Sequence, residues 1–488
     1  MNKALYRAGL LLLAFPLACC TLAPDYQRPT SPIAAVYPPH DGNAAAPGDE
    51  PLDWRHFYGD ERLRRLIALA LDSNRDLRLA VLNTERLQAQ YRVRASEQWP
   101  AINAGMQQER IRPETTSDVA TYGVSVTEYE LDLFGRVHSL KDAALADYFS
   151  SLASRQAAQI SLAAAVATTE LSLRADDQLL RLARDLLQTQ QQSAALAQQR
   201  VNAGLDGETL SHQHAAVLQD AIASVAQLAR QRAQDRHALL FLLGVAELPA
   251  DLPAADPRLS AIDAPPAIPV GLPADLLTRR PDIIAAEQKL IGANANIGAA
   301  RAAFFPRIAL TGSYGQASSN LSNLFDHSIR GWSFSPKVTL PLFDFGANEA
   351  NLATAKTERR MAVAEYEKTI QIAFREVADA LSAQTTGREE LDAMRDKAQW
   401  LRANAELAEQ RYRDGSDSML DWLSARSDWL NAQQAWIQAD LRQQLTLISL
   451  YKALGGGWER RAMPAQMLPP TSSANAVAQV SRPPSARN

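Results

Sequence analysis

The spacing of apolar residues along this 488-residue chain changes from helical to strand-like and back, and it does so twice in the same order. From about Glu61 to Gln98, and again from about Ala274 to Ala303, apolar residues recur at helical spacing, and a proline that cannot continue a helix closes each segment, Pro100 and Pro306. Beyond each proline the period falls to two. Trp332, Phe334, Pro336, Val338 and Leu340 alternate with Ser333, Ser335, Lys337 and Thr339. Ile308, Leu310 and Tyr314 alternate with Arg307, Ala309, Thr311 and Ser313, and Tyr122, Val124 and Val126 with Thr121, Ser125 and Thr127. The alternation predicts strand hairpins at about 101–131 and 307–343, with one apolar, aromatic face and one small, polar face. Long proline-free stretches follow, Arg136 to Val201 and Ala347 to Arg413. Each would extend roughly 100 Å as a continuous helix. Tyr366, Ile370, Phe374, Val377 and Leu381 step by four, four, three and four, a seam suited to left-handed helix packing. After Gly204 and Gly415 the chain turns and returns as Leu210 to Leu243 and Met419 to Leu454. Each half therefore predicts a helical hairpin far longer than a globular core needs.

Landmarks between the elements repeat as well. Asn74-Arg75-Asp76 and Trp99-Pro100 answer to Arg280-Pro281-Asp282 and Phe305-Pro306 at one common offset. Leu133-Phe134-Gly135, Gln199-Arg200 with Gly204, and Leu243-Gly244 answer to Asp344-Phe345-Gly346, Gln410-Arg411 with Gly415, and Leu454-Gly455, at an offset five residues longer. Two tandem structural repeats separated by one short insertion account for the shift. The organisation predicted is a signal peptide at 1–19, an anchor and connector at 20–60, a first repeat at 61–248, a connector at 249–273, a second repeat at 274–458 and a disordered tail at 459–488. The helical hairpins fall at about 136–244 and 347–455.

Composition sharpens the picture at the start of the chain. Lys3 and Arg7 precede an apolar run from Leu10 to Leu17 that is too short to span a bilayer, as in a secretory signal. The run ends in Leu17-Ala18-Cys19-Cys20, which resembles a bacterial lipobox with Cys20 as the lipidated residue, although Cys19 stands where Gly or Ala is usual. An ordinary signal cut near Ala18 is the alternative. Thr21 stands where an Asp would retain such a lipoprotein in the inner membrane, which favours the outer membrane of a Gram-negative cell. These are the only two cysteines, so there is no disulfide framework. The net charge of -4 is spread along the chain and makes no case for nucleic acid.

Strands of about ten residues, apolar on one face and small and polar on the other, suit a membrane barrel with lipid outside and water inside. A soluble hairpin packed on helices would show the same alternation. Four strands cannot close a barrel, which needs about eight, and an open edge is forbidden in hydrocarbon. A barrel therefore requires several chains. Catalysis finds no footing: His212 and His214, two apart on a helix, point to different faces, and the chain has no HExxH, P-loop, nucleophile elbow or dinucleotide turn. No cofactor and no metal site are expected.

Six segments carry a family resemblance: Cys20-Thr21-Leu22-Ala23-Pro24-Asp25-Tyr26-Gln27-Arg28-Pro29, Tyr129-Glu130-Leu131-Asp132-Leu133-Phe134-Gly135-Arg136, Arg279-Arg280-Pro281-Asp282, Ala299-Ala300-Arg301-Ala302-Ala303-Phe304-Phe305-Pro306, Leu340-Pro341-Leu342-Phe343 and Tyr451-Lys452-Ala453-Leu454-Gly455-Gly456-Gly457-Trp458. Together they resemble the OprM branch of the TolC-type outer membrane factors, over nearly the whole mature chain. The resemblance implies a mixed, mainly α fold, with a homotrimer sharing a twelve-stranded β-barrel, four strands per chain, above a long periplasmic α-helical barrel. It implies passive conduction of drugs or other small toxic compounds as the exit duct of a tripartite pump, with a periplasmic adaptor protein and an inner-membrane resistance-nodulation-division transporter as partners. A duct for protein secretion by an ABC transporter and a non-conducting, periplasm-spanning lipoprotein are the competing readings. The resemblance places the gate on the second helical hairpin, at Arg413, Asp417, Leu420, Asp421 and Ser424. Asp421 is the expected carboxylate ring, because Ser424 stands where OprM-like members usually have Asp. Arg413 and Asp417 are expected in gate-locking pairs. Solvated helix-end charges and an ordinary N-cap would explain the same residues. The resemblance also assigns adaptor contact to the turns Gly204, Leu205, Asp206 and Gly415, Ser416.

Overall fold

The computed structural model describes residues 21–34, 37, 53–111, 117–256, 276–318, 324 and 329–457. The signal segment, Cys20, most of the 249–273 connector and the tail from residue 458 lie outside the described residues. The chain divides into two compact units, one made of Met1–Pro32, Leu79–Arg155 and Asp282–Gln371, the other of Ile33–Arg78, Gln156–Pro281 and Ile372–Asn488.

The first unit holds the sheet. Strands β1 (Ile102–Ile111), β2 (Ser117–Leu131), β3 (Arg307–Ser318) and β4 (Ile329–Thr339) form one antiparallel sheet in the order β1-β2-β3-β4, so β1 and β4 are its edges. One face carries the rows Leu131–Ile308–Val338, Tyr129–Leu310–Pro336, Val126–Gly312–Phe334 and Val124–Tyr314–Trp332. The other carries Ser125–Ser313–Ser333 and Gly123–Gly315–Gly331. The alternation read from sequence switches parity inside β2, where Tyr122, Val124 and Val126 give way to Tyr129 and Leu131. A β-bulge between Val126 and Tyr129 absorbs the extra residue, with Glu128 at φ 51, and so keeps the apolar set on one face.

Leading into the sheet are α3 (Arg75–Ser96) and α7 (Pro281–Ala302), 22 residues each. Leaving it are α4 (Arg136–Asn202) and α8 (Ala347–Arg413), 67 residues each, which contribute residues to both units. At the start of α4, Glu130 accepts hydrogen bonds from Arg136 and pairs with Arg307, tying the end of β2 to the helix and to β3.

The expected unbroken helices at 61–98 and 274–303 are each interrupted. Helix α2 (Glu61–Ser73) ends at Asn74, whose Oδ1 accepts from Leu77 N and whose Nδ2 donates to the Leu242 carbonyl. This side chain offers the backbone an alternative to the helical ladder. In the second half a short α6 (Leu276–Arg279) ends before Pro281, which restricts Arg280 and then serves as the first residue of α7. The repeated Asn-Arg-Asp and Arg-Pro-Asp landmarks are thus helix breaks.

In the second unit, α1 (Trp54–Phe57) and α2 bury Trp54, Phe57, Tyr58, Leu63, Leu66 and Ile67 against Leu171 of α4, Leu239 and Leu243 of α5 (Glu208–Leu243), and Ile448 and Tyr451 of α9 (Met419–Ala453). Phe57 stacks on Tyr451 at 3.9 Å between centroids. Asp60 caps α2 through Leu63 N and receives Arg174, which also reaches Glu170, itself bound to Arg62. Burial opposes ionisation of Asp60, but the Arg174 guanidinium and the Leu63 amide outweigh it and hold the carboxyl below the usual range. Of the seam on α8, Tyr366, Ile370, Val377 and Leu381 are buried, and Phe374 stacks on Tyr37.

A sheet with open edges and two capped helical tips

The sheet keeps its large side chains in the open. Trp332, Phe334 and Val338 of β4 and Ile102 and Met106 of β1 are exposed, on the two strands with an unpaired edge. On the opposite face a row of glycines crosses all four strands, Gly105–Gly123–Gly315–Gly331. At Gly123 an added Cβ would stand 2.4 Å from the Tyr314 carbonyl oxygen, and at Gly315 it would stand 2.2 Å from that of Tyr122. The backbones of β2 and β3 approach too closely there for any side chain. Ser313 and Ser333 meet through their hydroxyls at 2.7 Å on the same face. No described helix is long and apolar enough to cross a membrane.

Each long hairpin turns through the same motif. In the first, Gly204 adopts φ +69, and the amides of Gly204 and Leu205 donate to the carbonyls of Val201 and Arg200. In the second, Gly415 adopts φ +74, and the amides of Gly415 and Ser416 donate to the carbonyls of Tyr412 and Arg411. Both are left-handed C-caps that need glycine. A salt bridge clasps each turn, Arg200 to Asp206 and Arg411 to Asp417. The Arg200 hydrogen bond holds the Asp206 carboxyl below its ordinary value. Leu205 and Ser416 sit exposed at the apices.

Beyond the second turn, Ser418 and Asp421 form a capping box for α9: Ser418 Oγ accepts from Asp421 N, and the Asp421 carboxylate accepts from Ser418 N. The Ser418 hydroxyl and amide lower the Asp421 carboxyl, which therefore stays charged at neutral pH. Leu420 is half-buried, while Asp421 and Ser424 are exposed at helical spacing. Leu423 and Ser427 face inwards, where Ser427 receives Gln190 Nε2 at 2.9 Å. Within the chain Arg413 pairs with Glu409, and Asp417 with Arg411. Tyr412 and Trp422 stack across the turn at 5.4 Å.

The sequence profile of the outer membrane efflux proteins matches residues 66–245 and 272–456. The chain belongs to that family. It is an outer-membrane efflux channel, and the open-edged sheet and paired helical hairpins are the family's parts. Outer membrane protein OprJ of Pseudomonas aeruginosa is 42% identical over 472 residues, covering 94% of this chain and 97% of that protein. The toluene efflux pump outer membrane protein TtgC of Pseudomonas putida is 40% identical over 473 residues, covering 94% and 96%. Among solved structures, the open state of the Neisseria gonorrhoeae MtrE outer membrane channel matches with a TM-score of 0.82 and 37% identity over 91% of this chain and all of that one.

In this channel, sequence reasoning passed over two features of the tip. The Arg–Asp clasp is visible in hindsight as Arg four residues before, and Asp two residues after, the turn glycine in both hairpins. Asp428, exposed one turn beyond Ser424 on the face that carries Asp421, extends the acidic strip along α9.

Proposed function

We propose that three copies of this chain close one twelve-stranded barrel in the outer membrane, and that their helices form a periplasmic duct through which small toxic compounds leave a tripartite pump. The observation that carries this is the sheet itself: four strands with an apolar aromatic face, a small polar face and two unpaired edges. Lipid tolerates no open strand edge, and four strands cannot close on themselves. Successive chains joined edge to edge close a ring.

A lipid on Cys20 suits the chain's beginning. The residues that follow it are held to α7 and α4: Arg301 donates to the Leu22 carbonyl at 2.9 Å, Asn294 to that of Pro24 at 2.6 Å, and Thr21 Oγ1 lies 3.3 Å from Ser139 Oγ. Tyr26 and Arg28 both bind Glu287. An anchor attached there would act on a fixed point of the fold.

At the periplasmic end, Asp421 on each of three α9 helices forms the carboxylate ring, with Leu420 and Ser424 beside it, and Arg413 and Asp417 at the rim of the constriction. Three carboxylates about one axis favour cations. The tips around Gly204, Leu205, Asp206, Gly415 and Ser416 are the docking points for a periplasmic adaptor bound to a resistance-nodulation-division transporter. A photo-crosslinking residue at Leu205 and at Ser416 in living cells tests this. Capture of an adaptor encoded beside such a transporter supports the reading, and capture of an ABC-linked adaptor moves the duct to protein secretion. An empty lane from cells actively expelling drug through this channel would sink the tip assignment.

A further inference from the structure

The two halves of the chain build the same corner at two places, and only one of them is closed. After β2 the chain runs Leu131-Asp132-Leu133-Phe134-Gly135 into α4, and after β4 it runs Leu342-Phe343-Asp344-Phe345-Gly346 into α8. Ahead of β3 stands Phe305-Pro306, and ahead of β1 stands Trp99-Pro100. Strands β2 and β3 are neighbours, and their corner is finished within the chain. Leu131 pairs with Ile308 in the ladder, and Phe134 stacks on Phe305 with centroids 4.6 Å apart and 20° between planes.

The equivalent corners of β4 and β1 lie at the two free edges. Phe345 is 99% exposed, Leu342 83%, Trp99 75% and Ile102 73%. Phe345 is also one of two described non-glycine residues at positive φ, at 53°. Asp344 holds it there by accepting from the amides of Gly346 and Asn348. A bulky side chain on strained backbone, displayed almost wholly to solvent, marks a surface built to be covered.

What covers it follows from the repeat. β1 starts, and β4 ends, at the edge of the sheet nearest the helices, so when the β4 edge of one copy meets the β1 edge of the next in antiparallel fashion, these four residues converge. We propose that Phe345 of each protomer stacks on Trp99 of the partner subunit, and that Leu342 pairs across the seam with Ile102 of the partner subunit. The Phe134–Phe305 stack and the Leu131–Ile308 pair are thereby repeated at every junction of the ring. The inference rests on the three-chain ring proposed above and specifies the register of its seam. It requires β4 to be prolonged past Thr339 once a neighbour supplies hydrogen-bond partners.

Directly opposed strand residues have Cα atoms about 4.5–5.5 Å apart, within disulfide reach. The full-length channel carrying both Ile102→Cys and Leu342→Cys, oxidised in outer membranes and run unreduced after denaturation, should give a covalent trimer that neither single variant gives. Trp99→Ala and Phe345→Ala should each lower the temperature at which the detergent-purified trimer dissociates, and the double variant should lower it no further than the more damaging single. An intact trimer that does not cross-link, or two alanine effects that simply add, overturns the seam and leaves the ring standing. A monomeric mass for the unaltered protein in detergent overturns the ring and the seam with it.

Discussion

At the scale of single residues, the side chains that matter most are those that permit or hold a backbone shape. Gly123 and Gly315 lie where strands β2 and β3 approach so closely that a methyl group would meet a carbonyl oxygen at 2.4 or 2.2 Å. Gly105 and Gly331, in the same row on the edge strands, have open space around them. Gly123→Ala or Gly315→Ala should therefore abolish assembly, read as loss of heat-resistant trimer from outer membranes. Asp421 has two duties, capping α9 and presenting charge. Asp421→Ala removes both the capping-box carboxylate and the charge. Asp421→Asn keeps a polar cap and removes the charge. Both should weaken cation preference in single-channel recordings, and the alanine variant should also loosen the resting pore. Unaltered selectivity in both would remove Asp421 from the gate.

At the scale of elements, the first helical hairpin holds a carboxyl in an unusual state. Asp176 on α4 is buried, and burial together with Asp235 of α5 pushes it up to about 7, with Asp177 acting in the same sense and Arg232 against it. Arg232 is itself paired with Asp177. The folded chain holds this proton more tightly than the unfolded chain, so protonation favours the fold. Stability should fall as pH rises from the ordinary carboxylate range through about 7. Asp176→Asn should flatten that fall, as measured by thermal unfolding of the trimer at a series of pH values. A slope unchanged by the substitution would mean that another group carries it.

At the scale of the whole molecule, the two 67-residue helices and the open-edged sheet are the parts from which the proposed ring of three copies builds its path. The tips proposed to meet the adaptor must stay accessible in that assembly. Leu205 shows an apolar side chain at the apex of the first turn, whose shape depends on Gly204 and the Arg200–Asp206 clasp. Leu205→Asp leaves the turn intact, so trimer yield should be unchanged while drug susceptibility of an efflux-dependent strain rises several-fold. Lost trimer would instead assign Leu205 to assembly.

Much of this was legible in the amino-acid order. Period-two runs announced the strands, the proline-free stretches gave the long helices nearly to the residue, and repeated Gly204 and Gly415 marked the tips, because period, proline and left-handed glycine act locally. The helix break at Asn74 and the bulge at Glu128 were not legible. Each depends on which neighbour the chain brings alongside: Asn74 caps a new helix while reaching Leu242, and the bulge restores a register imposed by β3. Local pattern specifies the elements, whereas their joints and pairings are settled by long-range packing and hydrogen bonding, which only the tertiary structure contains.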